Sequence, residues 1–78
     1  MVRQLTIIAE LKDWHLDDEN NNITGTIHNS KDKWYPDGER FHFLSIRGMS
    51  HYTEDNEEYW LVMTQIGNYF KCYRRDMR

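Results

Sequence analysis

The sequence predicts an all-β fold: a small five-stranded antiparallel meander or a partly open SH3-like barrel, in one domain spanning residues 1–78. Three observations carry that expectation. Five short runs are rich in β-branched and aromatic residues, turn signals separate them at nearly regular spacing, and no stretch has a convincing helical period. An aromatic fraction of 14% lets so short a chain build a core although only 38% of it is hydrophobic.

The first run, Leu5 to Leu11, fits a short helix by spacing alone, and the β-branched Thr6-Ile7-Ile8 favours a strand. Trp14 and Leu16 continue an apolar alternation, so this strand is expected to be long or bent near Lys12-Asp13. Asp17 to Asn22 holds no apolar residue and reads as the first hairpin loop. Ile23 to His28 then alternates cleanly, with Ile23, Gly25 and Ile27 on one face. A glycine inside a strand implies a bulge or a bulky aromatic crossing close to the backbone.

Asn29 to Lys33 is a polar loop that leads through Trp34 and Tyr35 to Pro36-Asp37-Gly38. Proline presets φ, aspartate bonds its own backbone and glycine tolerates positive φ, so this tripeptide is read as the turn feeding a third strand against which the second half pairs. That strand is expected over Arg40 to Met49, bent at Gly48. Phe41 and Phe43 share one phase and Leu44 and Ile46 the other, which calls for two covered faces or a bulge near Phe43. Ser50 to Glu58 reads as an acidic turn, Tyr59 to Thr64 as strand four, Ile66-Gly67-Asn68 as a tight turn and Tyr69 to Tyr73 as strand five. The basic tail that follows, ending at Arg78, is expected to fray.

A net charge of −3 works against a nucleic-acid backbone as the default partner. Cys72 is the single cysteine, so no intrachain disulfide or cysteine-rich zinc site can form, and a reducing, cytoplasmic setting is expected. It follows Phe70 at core spacing, as a structural thiol would. His15, His28, His42 and His51 fall in separate elements without metal-ligand spacing. No phosphate cradle, nucleophile elbow or paired carboxylates appear, so no enzyme, metal or cofactor is expected, and the apolar runs are too short for a membrane span.

Two surfaces invite a partner. The acidic turns, with Asp17, Asp18 and Glu19 in one and Glu54, Asp55, Glu57 and Glu58 in the other, together with the loop aromatics Trp34 and Tyr35, suit a basic groove on a larger protein. The alternative is nucleic acid: Tyr69, Lys71 and Tyr73 share one strand face beside Arg74 and Arg75, a composition that stacks bases and neutralises phosphates. A homodimer through an exposed terminal strand is a further expectation.

Trp14, then Ile23-Thr24-Gly25-Thr26-Ile27, then Pro36-Asp37-Gly38 with Phe41 and Ile46, then Thr64 followed by Gly67-Asn68-Tyr69-Phe70, resembles a group of short bacterial and phage β proteins of uncharacterised function. The chain departs from that group where its Thr-Ser pair falls on Phe43-Leu44 and where the serine before the late glycine is Ile66. The resemblance implies a compact β domain linked to phages or mobile elements and, by analogy, an anti-CRISPR-type inhibitor of a host protein that handles nucleic acid.

Overall fold

Six strands, β1 (Ile7–Asp17), β2 (Asn22–His28), β3 (Arg40–Phe43), β4 (Gly48–Glu54), β5 (Glu57–Met63) and β6 (Tyr69–Tyr73), form one sheet in the order β3-β2-β1-β6-β5-β4. The computed structural model describes residues 6–78; Leu5, where the first strand was expected to begin, lies outside them. β1, β2 and β3 make one antiparallel meander and β4, β5 and β6 a second, joined where β1 and β6 run parallel. The all-β expectation therefore holds, while the five-stranded, wholly antiparallel, SH3-like arrangement is corrected to a six-stranded mixed sheet. The parallel pair follows from the link between the meanders: it carries the chain from the β3 edge to the β4 edge without reversing it, so β1, β3, β4 and β6 all run the same way.

β3 and β4 are the two edges of the sheet and no hydrogen bond closes one onto the other among the described residues, so the sheet is curled but open. A flat six-stranded sheet would hold its edges about 24 Å apart. The link from Phe43 to Gly48 reaches only about 17 Å. Curling brings the two meanders face to face, and the link touches both: Ile46 N–H donates to the Asn21 carbonyl and Arg47 N–H to that of Met63, each at 2.8 Å. The run expected as one bent strand, Arg40 to Met49, is thus two strands on opposite edges. β3 pairs with β2 of its own half, not with the second half.

β4 occupies much of the stretch read as an acidic turn, which shrinks to Asp55-Asn56 between Glu54 and Glu57. Both turn residues have positive φ, 51° and 64°, as a two-residue hairpin turn matching the sheet twist requires. Strand β4 escapes an apolar-pattern reading because residues Ser50 to Glu54 are exposed, so neither face needs an apolar row.

The core lies in the hollow of the curl. Ile23 and Ile27 of β2, Leu11 and Trp14 of β1, Val62 of β5, and Phe70 and Cys72 of β6 are almost wholly buried. β1 carries an irregularity between Lys12 and His15, opposite Gly25, with Asp13 at φ 47°. The extra residue turns Trp14 inward, three positions after Leu11, where simple alternation would point it out. Its indole N–H donates to the Tyr73 carbonyl at 2.7 Å and its ring meets Trp60 edge-on at 5.6 Å. Gly25 makes room for this crossing: a Cβ there would sit 2.9 Å from Leu11 Cβ and 3.1 Å from Trp14 Cβ. Tyr35 closes the other end, its ring 5.2 Å from Phe41 and 5.3 Å from Phe70.

The tail expected to fray is instead docked. Arg74–Asp76 forms a 3-10 turn, Met77 bridges to Trp14, and the Arg78 N–H donates to the Trp14 carbonyl at 2.7 Å. Satisfied backbone groups and the Trp14 clamp hold residues that composition alone marks as free.

Gly25→Ala is expected to destabilise the domain by about 1–3 kcal/mol, because both clashing atoms are Cβ atoms fixed to backbone. Urea unfolding followed by tryptophan fluorescence measures it, and an unchanged midpoint would contradict the close crossing.

Candidate interaction surface

Three loops display exposed apolar side chains: Trp34 from the β2–β3 loop, Leu44 from the β3–β4 link and Ile66 from the β5–β6 turn. They are 75%, 62% and 76% exposed, the three most exposed large apolar residues among those described. Hydrogen bonds between their neighbours join the loops: the Gln65 amide donates to the Ser45 carbonyl, and the Asn68 amide to the Tyr35 hydroxyl at 3.1 Å.

Each loop is shaped by its own sequence. Asp32 accepts the Trp34 N–H on its side chain at 2.8 Å and the Tyr35 N–H on its backbone carbonyl at 3.0 Å, so one aspartate fixes the turn from which Trp34 projects. Asp37 accepts the Ser30 N–H at 2.8 Å, and Gly38, at φ 87°, donates to the Ile27 carbonyl. The β5–β6 turn is set by Gly67, also at φ 87°, and by the Thr64 N–H donating to the Asn68 carbonyl at 2.9 Å. The two aromatics grouped together by sequence therefore divide: Tyr35 is packed beneath as a lid and Trp34 stands outside it.

The acidic residues fall elsewhere. In the β1–β2 turn, Asp18 and Glu19 are exposed, and hydrogen bonding from the Asn20 side chain holds the Asp17 carboxyl below its ordinary value. Asp18 also stands at a cleft of about 360 Å³ floored by Trp14, Met49, Trp60 and Met77. In the β4–β5 hairpin, Glu57 pairs with Arg75, while Glu58 meets His51 at 3.1 Å and Arg74 at 3.8 Å. Glu54 accepts a long hydrogen bond from the Tyr59 hydroxyl, and Asp55 lies in the turn itself.

The proposed nucleic-acid row is assembled as the strand period requires, with Tyr69, Lys71 and Tyr73 alternating on the outer face of β6. Tyr59 and Tyr52, aligned across β5 and β4, extend it. The Lys71 ammonium lies 4.4 Å from the centre of the Tyr59 ring and 4.8 Å from that of Tyr73, and Arg75 stacks on Tyr73 at 4.1 Å. Interaction with the Tyr73 hydroxyl raises the Lys71 pKa, against a smaller opposing effect of burial. The cations of this face are thus already engaged by tyrosine rings and by Glu57 and Glu58.

Cys72 is buried, and loss of solvation pushes its thiol far above the usual range, with the Asp76 charge adding to the effect. Such a thiol is a packing group rather than a nucleophile. Sequence reasoning missed Leu44 and Ile66 as surface residues. The available signals were Leu44 breaking the phase of Phe41 and Phe43, and Ile66 standing directly before a turn glycine.

Comparison of the chain with protein-family models, with curated proteins and with solved structures finds no match, so its own residues carry the functional reading.

The docked tail is open to test by limited trypsin digestion, following release of the C-terminal residues by mass. Combining Glu57→Gln with Glu58→Gln is expected to speed cleavage after Arg74 and Arg75 about threefold to tenfold, since exposed ion pairs contribute up to roughly 1 kcal/mol each. Equal rates would show that these pairs do not hold the tail.

Proposed function

We propose that this chain is a small non-enzymatic protein-binding module that anchors on a partner through Trp34, Leu44 and Ile66. The observation that carries the reading is that three large exposed apolar side chains project from three loops joined to one another by hydrogen bonds. An isolated exposed leucine is ordinary on a protein surface, whereas a group set on braced loops is what an anchor patch requires. Because the Asp32 turn holds Trp34 before any encounter, less conformational freedom is lost on binding.

Charge describes the partner further. The chain carries −3 overall, and Asp18, Glu19 and Asp55 are exposed beyond the ion pairs of the β4–β5 hairpin. A partner with a basic groove, as proteins that handle nucleic acid possess, would be attracted to the chain as a whole, and an occupied groove is a blocked one. Inhibition of such a host protein, of the anti-defence kind, is the form of the function this reading favours. The Tyr69–Lys71–Tyr73 row supports the nucleic-acid alternative less well, because Glu54, Asp55, Glu57 and Glu58 surround it and its arginines are paired.

Capture from lysate on immobilised protein tests the proposal. The wild-type chain is expected to retain a stoichiometric partner, and Trp34→Ser with Leu44→Ser and Ile66→Ser to lose it, with affinity falling about 30-fold or more if Trp34 alone contributes about 2 kcal/mol. Thermal stability should be little changed, since the three side chains are exposed. Absence of any captured protein, or equal capture by both chains, would refute the reading.

A further inference from the structure

We infer that β4 is the edge through which two copies of this chain pair, antiparallel, about a two-fold axis at His51. In a hairpin closed by a two-residue turn, the residues flanking the turn direct their backbone groups at each other, and the direction alternates from there. Glu54, Tyr52, Ser50 and Gly48 therefore bond to β5, while the N–H and C=O groups of Thr53, His51 and Met49 face outward. No strand covers that side among the described residues.

Edge strands are normally protected by brevity, lysine, proline or a bulge. β3, the other edge, has four residues with Arg40 and His42 exposed, and its chain arrives through Pro36. β4 has seven, is paired in unbroken register from Gly48 to Glu54, and contains neither lysine nor proline. His51 is also held in place, its ring 4.9 Å from that of Trp60 and its Nε2 3.1 Å from Glu58, which fixes the backbone at the centre of the edge.

Placing His51 opposite its copy uses every residue of the strand. Thr53 then exchanges backbone hydrogen bonds with Met49 of the other copy, and His51 with its counterpart. On the outer face Tyr52 lies opposite a serine, and Glu54 opposite a glycine, so no like formal charges face each other directly. The two Tyr52 rings become diagonal neighbours, and the row Tyr73–Tyr59–Tyr52 runs unbroken from one copy into the other. Tyr52, stacked on Tyr59 at a centroid distance of 5.6 Å yet still 43% exposed, marks the end of that row in a single chain. The inference is independent of the Trp34 patch, which belongs to other loops.

Sedimentation of the full chain from micromolar to millimolar concentration is the test, since an interface this short belongs with the weak ones. A mass rising from 9.6 kDa toward twice that value is expected. Thr53→Pro removes an outward N–H and is compatible with an edge strand, so it should return the mass to that of one chain. Trp34→Ser should leave the dimer intact. Should the proline variant fail to fold, amide exchange of the wild-type chain decides: protection at Met49, His51 and Thr53 should grow with concentration and that at Ser50 and Tyr52 should not. A monomer throughout, a dimer abolished by Trp34→Ser, or exchange independent of concentration at those three amides would overturn the inference.

Discussion

The structure depends on Trp14. Its Cβ lies against Gly25 of β2, its ring meets Trp60 of β5, its indole N–H binds the end of β6, and its carbonyl accepts the Arg78 N–H. One residue thereby ties the first meander to the second beside the parallel β1–β6 junction, where the two are paired among the described residues. Parallel pairing over a few residues is a weak joint. The buried indole supplies what that joint lacks, contributing an aromatic pair of about 0.5–1.5 kcal/mol beyond its area together with a satisfied buried donor.

Tyr35 performs the corresponding task at the opposite end, its ring tilted against Phe41 and Phe43 and edge-on to Phe70, and so drawing β3 across the hollow onto β6. The two aromatic clamps turn what would be a flat ribbon with long free edges into a curled shell. They also explain how the loops near Tyr35 can hold an exposed tryptophan in a fixed position: Trp34 is the neighbour of a residue anchored in the core. Fold and surface are linked there by a single peptide bond.

Much of this was legible in the chain. Ile23, Gly25 and Ile27 announced a strand with one buried face and a close aromatic crossing, and β6 and the glycine turns were readable from alternation and turn chemistry. Less legible were the features that depend on partners distant in sequence. β4 is an edge strand whose Ser-His-Tyr-Thr-Glu carries no apolar alternation because solvent lies on both sides of it. The parallel junction is a consequence of topology rather than of local pattern, and the tail looked free because Trp14, which holds it, lies some sixty residues earlier (59 positions from Trp14 to Tyr73). For the surface, Trp34 was recognisable as a loop aromatic, whereas Leu44 was read within a strand and Ile66 only as part of a tight turn, so neither was singled out as an exposed apolar residue.

Exchange of the three indole N–H protons, observed by nitrogen-15 NMR, tests the central role of Trp14 most directly. The Trp14 proton should exchange only with global unfolding, and the Trp34 proton as rapidly as that of a free side chain. A Trp14 indole exchanging as fast as that of Trp34 would mean that the two meanders are not clamped together, and would contradict the account.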